Sequence, residues 1–351
     1  MFGVKYSRDK ISDRPDDNAG RAGNVTDFAV GEAIAAHPPR SHGWEPGPQA
    51  VYSGHRMLPQ GKAQRVALAF LSIGALCGGF ASILVRLCRY PAPAVACLRM
   101  VLAGLLLLPF CLADLRRTWR EKGPAGFPRL LVPGLFLSAH FQCWVLGLQY
   151  TTVANATFIM SLNPVFFALA ERFGARRRLP AYALVSLGLA VAGAAWLFLF
   201  GGGQLGRLGD LLVLTSSLLY VGYLLAARRF AGGVPHLAFA QTIYFWGGLA
   251  ALPVALLAGS LAGVRPGDTG SLAALAGLVL FPTLVGHTAV NYGVRHLAPL
   301  TVSFFSLAEP VVATAAAVLI LREPLRPREL PAYGLFLAAT LLYLLLSSRR
   351  R

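Results

Sequence analysis

Apolar stretches of about 20 residues recur from about residue 65 to the end of the chain, separated by short, arginine-rich connectors. An α-helix of about 20 residues is long enough to cross the hydrocarbon core of a bilayer. The sequence of 351 residues is 56% hydrophobic and only 13% charged, which exceeds the apolar content that one soluble core needs. The pattern therefore predicts an all-α integral membrane protein.

The apolar stretches divide into ten predicted transmembrane helices, numbered helices 1 to 10 in chain order. Their predicted bounds are 66–87, 93–113, 130–149, 153–171, 180–200, 210–227, 236–258, 271–292, 299–321 and 330–348. The lengths fit the thickness of a bilayer, and only the connector 114–129 is long.

The formal charge of +17 lies mainly in the connectors and at the C-terminus. Residues 1–64 hold eight basic and seven acidic residues without a hydrophobic period, so they are predicted to form a disordered polar tail. The connector 114–129 holds five basic residues, and Arg349, Arg350 and Arg351 end the chain. Because cytoplasmic loops are enriched in lysine and arginine, both termini are predicted to face the cytoplasm in the cell (inner) membrane. This distribution argues against a nucleic-acid partner, which would need one clustered basic surface.

An internal repeat relates the two halves of the chain. An offset of 146 residues places Pro310 on Pro164, and an offset of 142 residues places Arg228 on Arg86. Two units of five helices therefore follow each other.

The predicted units are residues 65–205, with helices 1 to 5, and residues 206–351, with helices 6 to 10. Because five is odd, the second unit enters the membrane upside down relative to the first. This arrangement is the inverted repeat of many transporters.

Several motifs occupy matching places in the two units. The fourth helix of each unit carries Pro-Val, in NPVFFAL from Asn163 and in EPVVATA from Glu309; Glu323 follows the second proline, and GDLL from Gly209 opens helix 6. Together these features resemble the EamA type of the drug/metabolite transporter superfamily. The resemblance implies a ten-helix carrier that moves small metabolites, often outward, by alternating access without ATP. Arg177 departs from the family pattern, which usually has a glutamate there.

Two charged side chains lie inside predicted helices, Glu309 about ten residues into helix 9 and Arg99 about six into helix 2. A charge at the bilayer centre costs at least about 2.5–3.5 kcal/mol on insertion scales, so such residues usually face a cavity or a partner. Arg99 is a candidate to hold an anionic substrate group, because guanidinium binds carboxylate as a planar fork. The alternatives for Arg99 are snorkelling to the membrane surface and a structural pair with Glu309.

Glu309 is a candidate for proton coupling, because apolar surroundings favour the protonated form of a carboxyl group. The alternative is a passive acid beside a kink. Pro164 and Pro310 are predicted to kink their helices, since proline removes a backbone donor and frees the carbonyl four residues earlier.

Further polar residues recur at helical spacing. His140 and Trp144 share a face of helix 3, and His287 and Asn291 share a face of helix 8. The alternative for each is a hydrogen-bonded packing role. The predicted substrate-binding or proton-coupling residues are Glu309, Arg99, His140, Trp144, Asn155, Gln241, His287 and Asn291.

The repeat register pairs the two charged candidates with neutral counterparts. Gln241 takes the position of Arg99, and Asn163 takes the position of Glu309. Each pair keeps one charged member, which predicts a cavity with a polarised midplane.

No HExxH, GxSxG, P-loop or CxxC motif is present, so no catalytic residue, metal site or cofactor is predicted. The predicted function is a secondary transporter that exports a small metabolite, amino acid or drug-like compound, with the substrate and the lipid bilayer as partners. The alternatives are a non-transporting receptor or lipid-handling scaffold, and less favourably a membrane enzyme. Gly74 and Gly78 form a GxxxG motif, which permits close helix contact within a monomer or between the protomers of a homodimer.

Overall fold

The computed structural model describes residues 60–126, 128–151, 153–174, 178–200, 207–322 and 327–348. Residues 1–59 of the predicted tail lie outside the described part, as do Arg177 and Glu323. Residues 60–64, which composition assigns to the tail, are instead helical, because four of the five are glutamine, lysine or alanine, which favour helix. Within the described ranges no residue lies in a β-strand.

The first unit holds five membrane helices. Helix 1 is Gln60–Gly79 continued by Ala81–Leu87, helix 2 is Ala92–Gly126, helix 3 is Pro128–Tyr150, helix 4 is Val153–Ser161 continued by Asn163–Gly174, and helix 5 is Ala181–Phe200.

The second unit has five counterparts. Helix 6 is Arg207–Phe230, helix 7 is His236–Leu257, helix 8 is Thr269–Leu278, a π-helical segment Val279–His287 and Thr288–His296, helix 9 is Pro299–Phe305, a 3₁₀ turn Ser306–Ala308 and Glu309–Leu321, and helix 10 is a 3₁₀ turn Pro327–Glu329 continued by Leu330–Ser348.

Helix 2 extends through most of the segment 114–129, which was predicted to be a connector. Leucine, arginine, glutamate and lysine in this segment favour helix, and Arg117 Nε lies 2.8 Å from Glu121 Oε1 one turn later. Gly123 interrupts the regular helix with a φ of 62°, a conformation that glycine adopts without steric cost. Helix 2 therefore does not end where the polar sequence begins, at residue 114.

Helix 8 begins at a side-chain cap. Asp268 Oδ1 accepts a hydrogen bond from the backbone N–H of Ser271 at 3.0 Å, and Asp268 Oδ2 accepts one from the Ser271 hydroxyl at 2.7 Å. These bonds satisfy a free donor of the first turn and hold the pKa of Asp268 below its ordinary value. The cap fixes where helix 8 begins.

In the described part of the chain, nine helical spans are long and apolar enough to cross a membrane. Helix 4 is divided into segments of 9 and 12 residues, each too short to span alone. Its two segments together cover the predicted span 153–171. Each of the ten predicted helices thus has a counterpart, and the predicted class, an all-α membrane protein of two inverted five-helix repeats, is confirmed.

Helices 4 and 9 are interrupted at matching positions. In helix 4 a new helical segment begins at Asn163, directly before Pro164. In helix 9 the 3₁₀ turn Ser306–Ala308 precedes a segment that begins at Glu309, directly before Pro310. Proline lacks the N–H that would continue the preceding α-helix, so each interruption follows from the sequence. The residue before each proline becomes the first residue of a new segment.

The GxxxG motif of helix 1 is used inside the chain. A Cβ added at Gly74 would lie 2.8 Å from Cβ of Ala289 and 3.2 Å from the carbonyl oxygen of Gly286, both in helix 8. Glycine therefore allows helices 1 and 8 of different units to meet at backbone distance.

We expect Gly74→Leu to destabilise the protein by about 1–3 kcal/mol, because the new side chain must push helix 8 away. Gly188→Leu is the matched control, since a Cβ at that exposed position would meet no atom within 4 Å. The thermal unfolding midpoints of both purified variants check this prediction. A similar midpoint for the two variants would contradict close packing at Gly74.

Repeat-related arginines make the same contact in both units. Arg86, near the end of helix 1, donates from Nη2 to the carbonyl oxygen of Thr151 at 3.2 Å. Arg228, near the end of helix 6, donates from Nη1 to the carbonyl oxygen of Leu297 at 2.6 Å. Each carbonyl follows the third helix of its own unit. Because the second unit is inverted, the two contacts lie at opposite ends of the helix bundle, and each connects the first helix of its unit to the residue after the third.

Arg228→Gln is expected to lower the unfolding midpoint more than Arg86→Gln does. The contact of Arg228 is shorter and half-buried, whereas Arg86 is exposed to solvent. A hydrogen bond from a charged donor contributes about 1.5–3 kcal/mol, and water competes least where the bond is buried. Differential scanning fluorimetry of the two glutamine variants compares them directly, and a larger loss in Arg86→Gln would refute the ranking.

Candidate functional site

A cavity of about 100 Å³ lies between the two units, with walls from helices 1, 2, 3, 4, 6, 8 and 9. One water molecule needs only about 10–15 Å³ by a comparable measure, so several waters or a small ligand would fit. Glycines and apolar side chains form much of the wall. The polar or amphipathic side chains in it are Ser82, Arg99, His140, Trp144, Thr157, Asn163, Tyr220, His287, Ser306 and Glu309.

The predicted site residues divide into two groups. The cavity brings together Glu309, Arg99, His140, Trp144 and His287. The lining does not include Asn155, Gln241 and Asn291, although all three are buried.

Asn155 and Asn291, which lie outside the lining, make contacts between helices. Asn155 Nδ2 lies 3.3 Å from Asp210 Oδ1, which also accepts a hydrogen bond from the Thr151 hydroxyl at 2.5 Å. Asn291 Oδ1 accepts a hydrogen bond from the Tyr223 hydroxyl at 2.5 Å. Helical spacing predicts a shared face for His287 and Asn291, and both contact Tyr223, whose ring centroid lies 6.1 Å from that of His287, but only His287 lines the cavity.

Arg99 is 1% exposed and is held by helix 8. Its Nε and Nη2 donate to Thr283 Oγ1 at 3.1 Å and 2.9 Å, and its Cζ lies 3.8 Å from the centre of the Phe141 ring. Nη1 is buried and has no hydrogen-bond partner among the described residues. The possible pair with Glu309 is not formed, and no other described carboxylate lies within ion-pair distance of Arg99. The cation therefore contacts a neutral hydroxyl and an aromatic face.

Two histidines meet across the unit boundary. The rings of His140 and His287 have centroids 6.2 Å apart, and His287 packs edge-on against Phe141 at 4.8 Å. Nδ1 of His140 lies 2.9 Å from the carbonyl oxygen of Ser216, so this nitrogen is assigned as the donor, and Nε2 is left as the acceptor. Nδ1 of His287 is buried without a partner in the described part of the chain.

Glu309 enters the cavity from the interruption of helix 9. A Cβ added at Gly78 would lie 3.2 Å from Glu309 Oε1, so helix 1 passes directly beside the carboxyl group. Among the described residues, no side chain pairs with this carboxyl group.

Asn163, the repeat counterpart of Glu309, also lines the cavity. Its Oδ1 accepts a hydrogen bond from the Ser217 hydroxyl at 2.5 Å, and its Nδ2 is buried with no partner among the described residues. The residue before each proline therefore contributes a polar group to the same cavity. Gln241, the counterpart of Arg99, does not, so the cavity is asymmetric.

Two residues of the site were not predicted from the sequence: Thr283, which contacts Arg99, and Ser82, which lines the cavity. Threonine and serine are common in membrane helices, so their type carries little information. The one available signal was Pro282, since a proline within a helix frees a carbonyl that a neighbouring hydroxyl can bind.

The described residues contain no group of three or more histidine, cysteine, aspartate or glutamate side chains that could hold a metal ion. The cavity lining instead contains the cation of Arg99, hydrogen-bond donors such as Nδ2 of Asn163, and the carboxyl group of Glu309. A polar cavity between two inverted repeats is typical of secondary membrane transporters that consist of internal repeats.

The family model for EamA-like transporters matches the chain twice, over residues 65–199 and 207–345. The protein belongs to this family of membrane transporters, which confirms the resemblance drawn from the Pro-Val motifs.

Two relatives are described as uncharacterised transporters. YetK of Bacillus subtilis (strain 168) is 25% identical over 252 residues, which cover 67% of this chain and 73% of YetK. An uncharacterised transporter of Archaeoglobus fulgidus is 24% identical over 251 residues, which cover 71% of this chain and 87% of the relative. A protein of known crystal structure matches with a TM-score of 0.66 at 18% identity, over 82% of this chain and 99% of the other. At that identity the match shows a shared fold.

Proposed function

We propose that the protein is a secondary transporter that exports a small metabolite, amino acid or drug-like compound bearing a carboxylate group. The environment of Arg99 is the observation that supports this proposal most strongly. It is a buried cation in the cavity lining, bound to a neutral hydroxyl, with no carboxylate at ion-pair distance among the described residues. Buried charges are normally paired, so an anionic substrate is the fitting counter-charge.

The remaining cavity groups suit the rest of such a substrate. Nη1 of Arg99 and Nδ2 of Asn163 are donors without a protein partner in the described part of the chain. Trp144 and Phe141 supply apolar surface beside them. Binding would replace missing hydrogen bonds, which favours a ligand with oxygen acceptors.

Proton coupling is proposed for Glu309. A carboxyl group at a site that opens in turn to each side of the membrane can take up a proton on one side and release it on the other. Glu309 lies in the same cavity as Arg99, which supports coupling between the proton and the substrate. Exchange of a proton for the substrate would drive export without ATP.

Alternating access is proposed to use the interruptions of helices 4 and 9. The two inverted units can exchange conformations, so the cavity opens to one side and then to the other. We propose the cell (inner) membrane as the location, with both termini in the cytoplasm, because the segment 114–129 and the C-terminus are rich in arginine.

The test uses small carboxylic acids, each paired with its primary amide, for example phenylacetate with phenylacetamide. The acids that raise the unfolding midpoint of the purified protein are then radiolabelled. Concentrative uptake is expected in inside-out membrane vesicles, where export carries substrate into the lumen, and much less in right-side-out vesicles. Stabilisation by acids and amides alike, or absence of uptake in both kinds of vesicle, would overturn the proposal.

A further inference from the structure

We propose that Thr283 is the positioning residue for Arg99 and thereby sets the preference of the cavity for carboxylates. Its hydroxyl fixes one edge of the guanidinium and leaves the other edge for the substrate. This inference rests on the proposed anion-binding role of Arg99.

The hydroxyl of Thr283 is oriented by the backbone of helix 8. Thr283 Oγ1 donates to the carbonyl oxygen of Leu278 at 2.8 Å, five residues earlier. In an α-helix a threonine hydroxyl reaches the carbonyl three or four residues earlier. The longer reach arises in the π-helical segment Val279–His287, where Pro282 cannot donate to Leu278.

With its proton committed to Leu278, the Thr283 oxygen can only accept from Arg99. It receives Nε at 3.1 Å and Nη2 at 2.9 Å, and Thr283 is 0% exposed, so water does not compete. A guanidinium group has five N–H donors in a fixed plane. Two of them point to Thr283, which leaves the edge formed by Nη1 and the second N–H of Nη2 for a planar carboxylate.

Helix 7 holds the π-helical segment in place. The Tyr244 hydroxyl donates to the carbonyl oxygen of Thr283 at 3.2 Å and lies 3.0 Å from Thr288 Oγ1. Tyr244 is itself 0% exposed. The anchor for Arg99 therefore belongs to two packed helices rather than to one mobile side chain.

The Thr283 side chain is uncharged, and this affects how strongly Arg99 can bind an anion. An aspartate in place of Thr283 would orient Arg99 but would also neutralise it and compete with a substrate carboxylate. A hydroxyl orients the guanidinium and leaves its charge uncompensated. The combination of π-helical turn, proline and threonine thus produces a fixed cation that is available to a ligand.

The experiment measures dissociation constants for the panel acid that stabilises the wild type most and for its amide. Thr283→Val keeps the shape of the side chain and removes the hydroxyl. It is expected to weaken binding of the acid by about tenfold or more, with little change for the amide, since an oriented charged hydrogen bond is lost. In transport the same variant should raise KM for the acid more than it lowers the maximal rate.

Three controls identify the cause. Thr283→Ser restores the hydroxyl and is expected to bind the acid nearly as the wild type does. In an Arg99→Gln background, Thr283→Val should have no further effect on the acid-to-amide ratio, because no guanidinium remains to be positioned. If Thr283→Val is not recovered as a monodisperse protein, Thr283→Cys, with a weaker acceptor of similar size, is expected to lower the same ratio.

The possible failures are distinguishable. A wild type that prefers acids, together with hydroxyl-deleted variants that prefer them equally, overturns the role of Thr283 alone. A serine variant as impaired as the valine variant overturns it too, because the hydroxyl would then not be the cause. A wild type that prefers no acid of the panel overturns the proposed function and this inference with it.

Discussion

Arg99→Gln is expected to remove high-affinity binding of carboxylate substrates and to leave the binding of their amides nearly unchanged. Loss of one partner from a buried, hydrogen-bonded charge pair costs about 2–5 kcal/mol, or roughly 30-fold to several thousand-fold in affinity. The dissociation constants of matched acids and amides, measured on purified protein, check the effect. The unfolding midpoint should not fall much, because the variant no longer buries a cation without a counter-charge.

Two further variants define what the substitution tests. Arg99→Lys keeps the charge but loses the planar fork, so it should retain only part of the preference for acids. Arg295→Gln is the matched control, since Arg295 is a half-buried arginine of helix 8 that donates to the carbonyl oxygen of Val234 at 2.7 Å outside the cavity lining. Equal losses for acids and amides in Arg99→Gln, or a changed preference in Arg295→Gln, would point to structural damage instead of anion binding.

Glu309→Gln is expected to abolish transport driven by a pH gradient while it retains exchange of substrate for substrate. Glutamine has nearly the shape of a protonated glutamate but cannot bind or release a proton, so the carrier would be fixed in its protonated form. In proteoliposomes, an acidic exterior should accelerate loss of labelled acid from the wild type at least about tenfold. This figure is a lower bound taken from the rate effect of positioned proton-transfer groups in enzymes. The variant should show no acceleration, with substrate affinity close to that of the wild type.

Glu329→Gln is the matched control for this change. Glu329 is buried near the start of helix 10, where its Oε2 accepts a hydrogen bond from the Tyr333 hydroxyl at 2.8 Å, outside the cavity lining. Its replacement should leave the response to the pH gradient intact. Undiminished dependence on the gradient in Glu309→Gln would remove the proton role from that residue.

The architecture was predictable because two strong patterns determine it. Apolar stretches of bilayer length mark each helix, and the offset between Pro164 and Pro310 marks the repeat. The same register pairs Asn163 with Glu309 and Gln241 with Arg99, and of these four residues only Gln241 is absent from the cavity lining. Boundaries were less predictable, since helix 2 continues into polar sequence where helix-forming residues and an ion pair support it.

The details of the site depend on contacts that one sequence does not contain. Helical spacing identifies a face of a helix but not the neighbour against which that face packs. His287 and Asn291 both contact Tyr223 of helix 6, yet only His287 lines the cavity. The role of Thr283 could not be predicted from the sequence, because its hydroxyl reaches the carbonyl oxygen of Leu278 only in the π-helical segment.

Counterflow in sealed proteoliposomes tests most directly whether the protein carries a carboxylate across the membrane. Liposomes that contain the purified protein are loaded with unlabelled acid and diluted into a trace of the same acid in labelled form, without a pH gradient. Transient accumulation of label inside is expected for the wild type, with a much smaller signal for Arg99→Gln. Saturable binding of the acid without any accumulation would contradict transport and would identify a receptor or scaffold instead.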